Sequence, residues 1–441
     1  MRRDANRGDR ALNHQVTSVD VASPMYDLVR RLFPICRSIT GQGVRDTLRI
    51  VGELIPLVVH EVASGTKVFD WTVPKEWNIR DAYIANANGD RVVDFRVNNL
   101  HVVGYSTPVR RTMPLSELQR HLHSLPDQPD LIPYRTSYYD ETWGFCLSHR
   151  QREQLPDGDY HIVIDSTLSD GSLTYGECLL PGASHEEVLI YTHTCHPSLA
   201  NDNLAGIAVC AFLARQLMSA KRRYSYRFVF GPGTIGSLVW LSRNADRVSR
   251  VRHGLVAVLL GDAGCLRYKR SRTGDAEIDR AVQHALKHSG DMHHVEAFSP
   301  YGYDERQFGS PGFNLPVGRL SRSANSGYPE YHTSADNLTL IRPESLADSL
   351  AICARIVEIL ESNGRYINTS PFGEPQLGRR GLYRKTGGVA APDRDMAMLW
   401  TLNLSDGAHS LLEIADRAGM DFELIRRAAD DLMDAGLMTT A

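Results

Sequence analysis

From about residue 187 onward the chain alternates short apolar runs with longer amphipathic ones, and this rhythm restricts the fold more than any other feature. Strand-like segments at 187–191, 226–230, 255–260 and 314–320 are interleaved with helix-like segments near 203–219, 234–243, 276–289 and 343–362. Strands separated by helices of this length do not pair as hairpins. They lie parallel, with helices on both faces of the sheet. The expected class is α/β with a largely parallel sheet. Chemically suggestive residues follow three of the strands: His193 to Asp202, then Gly231-Pro232-Gly233-Thr234-Ile235-Gly236-Ser237, then Gly261-Asp262-Ala263-Gly264. Ligands bind at that edge of an open α/β sheet.

The first of these connections, Thr192-His193-Thr194-Cys195-His196-Pro197-Ser198-Leu199-Ala200-Asn201-Asp202, brings two imidazoles and a carboxylate between a buried strand and a helix. Such a set reads as a metal site, although Asp202 would also suit a helix N-cap. Catalytic zinc takes nitrogen and oxygen donors from three protein ligands and keeps a fourth position open. The further donor is best supplied by His332, within Tyr331-His332-Thr333-Ser334-Ala335-Asp336-Asn337.

Together these motifs resemble the aminopeptidase-like zinc hydrolases related to bacterial leucyl aminopeptidases and glutaminyl cyclases. The nearest branch is a family named only as a domain of unknown function, with an inserted small domain and a C-terminal winged helix. The resemblance covers nearly the whole chain after its first twenty or so residues. It implies a zinc-peptidase-like fold, one zinc ion rather than two, and His196, Asp202 and His332 as ligands. His193 stands where better-known aminopeptidases begin His-x-Asp, but the third residue here is Cys195, so His193 is either a ligand or a donor that supports the ligands. Asp262 matches an aspartate that older aminopeptidases use as a further ligand; capping of its glycine-containing turn is the alternative.

This chain departs from the resemblance at the proton-transfer group. The broader pattern carries two glutamates after the second strand, and some relatives carry one at the position of Gly233, where this chain has no carboxylate. Asp304-Glu305, in Tyr303-Asp304-Glu305-Arg306-Gln307, is the candidate replacement, with Glu305 the acid/base residue and Asp304 orienting the site or receiving a substrate amine; a solvated acidic patch is the alternative. Ile132-Pro133-Tyr134-Arg135-Thr136-Ser137-Tyr138-Tyr139-Asp140-Glu141-Thr142-Trp143 also resembles a motif of the branch. Arg135, Tyr138 and Trp143 are its substrate-binding candidates, with Tyr139 and Phe145 read as core.

The expected domains are a polar tail (1–22), an α/β domain (23–61 and 181–367), a β-rich insert (62–180), a linker (368–392) and a winged-helix-like module (393–441). The insert is marked by alternating segments such as 81–84 and 91–95 around Asn88-Gly89-Asp90. A net charge of -3 gives no electrostatic case for nucleic acid or an anionic membrane. Seven scattered cysteines argue against a disulfide framework, and no apolar run spans a bilayer. A cytoplasmic location follows. In the C-terminal module Arg426 and Arg427 are outnumbered by Asp421, Glu423, Asp430, Asp431 and Asp434, which points to packing or homo-oligomerisation rather than DNA.

The function expected is a metal-dependent hydrolase of aminopeptidase type acting on a small aminoacyl or peptidyl amide. A metal-binding recognition protein without hydrolase activity and a cyclising acyl transferase stand as alternatives.

Overall fold

The computed structural model describes residues 19–324, 326–382 and 393–441. Most of the expected polar tail and the later part of the linker lie outside the described residues. The chain divides into two compact units, Met1–Gly274 with His294–Ala351, and Asp275–His293 with Ile352–Ala441.

The first unit is built on an eight-stranded sheet. Its strands are β1 (Val58–Ala63), β2 (Ser172–Leu180), β3 (Glu187–His193), β4 (Ser225–Gly231), β5 (Val251–Ala257), β6 (Leu266–Lys269), β7 (His293–Glu296) and β8 (Val317–Ser321). They lie in the order β1-β2-β4-β3-β5-β8-β6-β7. The centre, β4-β3-β5-β8, is parallel, whereas β1 pairs antiparallel with β2, β2 with β4, and β6 with β8. Every residue of β3 and of β4 is buried, as expected of parallel strands covered on both faces. The buried Arg227 on β4 is compensated by Glu187, 2.6 Å away on β3, and by Glu177 on β2.

The fifth strand ends earlier than its apolar run suggests. Val258, Leu259 and Leu260 are fully buried but belong to a connection, with Leu259 at φ 53°. Apolar content there reports burial rather than strand geometry.

The insert leaves β1 and forms a four-stranded antiparallel sheet of Arg91–Asp94, Glu76–Ala85, Asp159–Ser169 and Val109–Pro114. The Asn88-Gly89 turn joins the first two, with Gly89 at φ 89° and Tyr83 opposite Asp94. Strand β2, expected within the insert, is instead the route back into the large sheet. At Gly41 φ is 97°, and a Cβ there would stand 2.1 Å from the Trp77 carbonyl oxygen, so the chain packs closely against the insert strand Glu76–Ala85 at this point.

The second unit contains the helix Glu277–Lys287 and a three-stranded antiparallel sheet of Asp406–Ser410, Arg365–Asn368 and Met438–Thr440. Its helices Leu411–Ala418 and Phe422–Asp434 form the expected helix-turn-helix. Ser410 and Glu413 make a reciprocal capping box, and Gly419 closes the first helix at φ 66°. Phe422, Ile425, Ala428, Ala429 and Leu432 bury one face of the second. Arg365–Asn368 lies before the linker, so the small sheet begins upstream of the module's expected start at 393.

Candidate metal centre

Strand β3 delivers His193 at its C-terminal end, and the connection that follows is fastened at several points. Thr194 N donates to the Gly231 carbonyl, and the Asn203 side-chain amide donates to the carbonyl of His193. Asp336 accepts from Asn201 N at 2.6 Å and from Asp202 N at 3.0 Å. The buried Arg37 donates Nε to the His196 carbonyl at 2.9 Å. The loop geometry is thereby fixed by residues from distant parts of the chain.

Within this frame, Asp202 Oδ1 lies 2.7 Å from His193 Nε2 and 3.3 Å from His196 Nδ1. The two imidazole nitrogens are 3.2 Å apart. His332 Nε2 approaches the other carboxylate oxygen, Oδ2, at 3.1 Å. Burial opposes charge on Asp202, but the surrounding imidazoles of His196, His193 and His332 hold its carboxyl well below the usual range. Asp202 is fully buried and precedes the helix Gly206–Met218 by a full turn, so it is not that helix's cap.

The donors fit a zinc ion. Zinc bonds to nitrogen and oxygen of about 2.0–2.1 Å place neighbouring tetrahedral ligand atoms roughly 3.3 Å apart. His193, His196 and Asp202 form a tight group: His196 Nδ1 meets that spacing with both partners, while His193 and Asp202 stand closer, at 2.7 Å. His193, which the sequence left between two roles, belongs to the group. His332, expected as a third ligand, stands on the far oxygen of Asp202 with its backbone at φ 54°. Asp262 is directed elsewhere: it accepts from Gly264 N and from Asn201 Nδ2, both at 2.5 Å, and from Ser323 Oγ at 2.7 Å. Its turn-capping alternative is the one realised.

Aromatic rings surround the donors. Tyr303 stacks on His193 with centroids 5.0 Å apart, and Tyr331 stacks on His332 at 3.8 Å. From the insert, Tyr134 sets its ring edge-on to both His196 and His332, at 5.3 and 5.0 Å. Tyr134 N donates to the His332 carbonyl, and Tyr134 OH meets Tyr138 OH at 3.1 Å. Tyr138 therefore reaches the site through Tyr134, a residue not singled out by sequence.

Arg135 and Trp143 do not reach it. Arg135 is exposed and bonds to His123 Nδ1 at 3.1 Å; neighbours in an extended segment point to opposite sides, so a segment that sends Tyr134 inward sends Arg135 away. Trp143 stacks on His121 at 3.6 Å and lies under the Arg111 guanidinium. Phe145 is core as expected, but Tyr139 is 48% exposed and bonds to the Thr72 carbonyl.

The two adjacent carboxylates have opposite surroundings. Glu305 is fully buried, 2.7 Å from Lys269 Nζ and 3.8 Å from Arg319. Asp304 Oδ1 accepts from Thr234 N at 2.8 Å and Ser237 Oγ at 2.6 Å. Its Oδ2 is buried with no hydrogen-bond partner. Burial pushes the Asp304 carboxyl up to about 7 against the pull of those two donors. Glu305, expected to perform proton transfer, is thus held in an ion pair, although its two oxygens, like Asp304 Oδ2, are buried with no hydrogen-bond partner. Burial likewise pushes the Cys195 thiol up to about 12, which removes it as a nucleophile.

The fold defines a protein of the aminopeptidase-like α/β class with an inserted domain and a C-terminal winged helix. The chain belongs to the family described as domain of unknown function DUF4910, matched over residues 26–363, and residues 364–440 match a winged helix-turn-helix family. A Clostridium acetobutylicum protein, provisionally named a polysaccharide biosynthesis protein with an aminopeptidase-like domain, is 53% identical over 96% of this chain and 97% of its own. The crystal structure of a presumed peptidase from the same organism superposes with a TM-score of 0.92 at 52% identity, covering 96% of this chain and 97% of that one. The zinc aminopeptidase of Bacillus subtilis shares the fold, with a TM-score of 0.56 at 14% identity over 77% of this chain and 95% of its own. Among the described residues no helix is long and apolar enough to cross a membrane.

Proposed function

We propose that this protein is a metal-dependent amide hydrolase of aminopeptidase type, acting on a small aminoacyl or peptidyl substrate. The observation that carries the reading is the convergence of His193 and His196 on one oxygen of a buried carboxylate, with His332 on the other. His193, His196 and Asp202 would hold one zinc ion, and His332 would fix the orientation of Asp202. When bound, zinc polarises a scissile carbonyl and acidifies water at neutral pH. The rest is done by the chain itself. Arg37 and Asp336 hold the ligand loop, while Tyr134 and Tyr138 exclude water from one side and offer apolar ring surface to the substrate body.

Supporting a role in packing or homo-oligomerisation for the winged helix, its arginines are engaged on their own helix: Arg426 by Glu423 and Asp430, and Arg427 by Glu423. Absence of disulfides among the seven cysteines is in keeping with a cytoplasmic setting.

A recognition protein without hydrolase activity is favoured by one observation, the lack of a carboxylate in Pro232-Gly233-Thr234-Ile235-Gly236-Ser237, where the resemblance implies one. Metal analysis of the purified protein, paired with a screen of aminoacyl amides, peptidyl amides and acylated amino sugars, separates the two. The sugars enter because of the name carried by the clostridial relative. Zinc at about one equivalent with turnover of any amide supports the hydrolase. Stoichiometric zinc with ligand binding and no turnover supports recognition alone.

A further inference from the structure

Asp304 lies beside the Gly233-Thr234 turn, and Gly233 in turn lies beside His193. A Cβ placed on Gly233 would stand 3.7 Å from the His193 Cβ, 3.4 Å from Cys195 Sγ and 4.0 Å from Asp304 Oδ2. These are ordinary contacts, and Gly233 is not in the left-handed region. The unpartnered oxygen of Asp304 therefore faces the pocket that a carboxylate at position 233 would enter. Two fixed donors orient the carboxylate through its other oxygen. Thr234 supplies one of them from a backbone at φ 60° and ψ -69°, a conformation costly for a β-branched residue and found where local structure serves a site.

We propose that Asp304, not Glu305, is the proton-transfer residue of this site, resting on the hydrolase reading above. As the water oxygen forms its bond to the carbonyl carbon, its proton passes to Asp304 Oδ2. When the C–N bond breaks, the electron pair stays on nitrogen and Asp304 returns the proton to it. The products are a carboxylic acid, which gives up its remaining proton to solvent, and an amine, with no change of oxidation state. A carboxyl that titrates near neutrality is suited to both directions of transfer.

The test uses the zinc-loaded full chain and leucine hydroxamate, a probe whose acidic proton must go somewhere when it chelates a metal. Calorimetry in buffers of different ionisation enthalpy, at about pH 8 so that Asp304 starts ionised, counts protons released. The parent is expected to retain the proton, and Asp304→Asn to release about one per site and bind at least roughly tenfold more weakly. Infrared difference spectra of the unsubstituted protein give a second reading: hydroxamate binding should produce a protonated-carboxyl band. Gly233→Glu introduced beside Asp304→Asn should recover part of the proton retention. On any amide that is turned over, Asp304→Asn should lower kcat by about 10² to 10⁴-fold at unchanged zinc content.

Equal affinity and equal proton release in parent and Asp304→Asn, or no protonated-carboxyl band in the parent, overturns the assignment. Failure of the zinc-loaded parent to bind hydroxamate at all defeats the hydrolase reading itself, a distinguishable result.

Discussion

Among the described residues, a cluster in each unit joins a buried imidazole to a carboxylate, and the chemistry of the two differs. In the second unit His284 directs Nδ1 to Asp416 at 2.7 Å and accepts the Phe422 backbone N–H on Nε2 at 2.9 Å. Both nitrogens have partners of opposite demand, so one neutral tautomer satisfies the ring and leaves nothing for a cation. In the first unit two imidazole nitrogens face each other at 3.2 Å while both lie on Asp202 Oδ1. No single arrangement of protons satisfies all these contacts as well as a cation among them would. Satisfaction of each lone pair, rather than a count of histidines, separates a structural histidine from a metal ligand.

The largest effect expected from this contrast is on zinc retention. His196→Ala and His193→Ala should each lose the ion on dialysis, because a three-ligand site has none to spare. His284→Ala should keep it in full. Zinc analysis of the three variants checks this, and stoichiometric zinc in His193→Ala would break the comparison.

The reverse effect is expected in stability. Removing the His284 ring strands the Phe422 backbone N–H, leaves the exposed Asp416 to water, and should cost about 1–3 kcal/mol in chemical denaturation of the second unit. His332→Ala and Arg37→Met act one step from the ion, on the orientation of Asp202 and of the His196 backbone. Zinc affinity measured by competition with a chelator should fall by about 10 to 100-fold in each. Complete loss of zinc in His332→Ala would return His332 to the ligand set.

The smallest effect concerns pH. The Asp304 carboxyl titrates at about 7 in the folded chain because it is buried, against about 3.9 when unfolded. A group with a raised folded value contributes fully below about pH 4, and that contribution is lost as the pH rises to about 7. In metal-free protein Asp304→Asn should therefore be neutral near pH 4 and more stable than the parent above pH 7, by a net gain of about 1–2 kcal/mol because the Asn amide is itself buried. Thermal melts across that window measure it, and a gain that grows toward acid would contradict the burial of Asp304.

The strand ends illustrate how far local pattern reaches. The alternation of apolar and amphipathic segments located β3 and β4 to within two residues, because burial on both faces leaves continuous apolar runs. The same rule displaced β5, since a buried connection is equally apolar. The helix Glu277–Lys287 carried no mark of its place in the second unit, where Arg280 and His284 bond to Glu413 and Asp416. In the site, the residue types and their positions at strand ends were legible. Tyr134, Asp336 and Arg37 were not, because each acts through contacts to residues far away in sequence.

By itself the sequence determined the class of fold, the family and the chemistry on offer at the sheet's edge, since hydrophobic period and residue identity are local properties of the chain. Tertiary structure alone decided the surroundings of two neighbouring carboxylates. Asp304 and Glu305 are adjacent in sequence, but one meets the Thr234 amide and Ser237 while the other meets Lys269 and Arg319. A carboxylate's role is set by the charges and donors around it, and those arrive from strands and helices that only folding brings together.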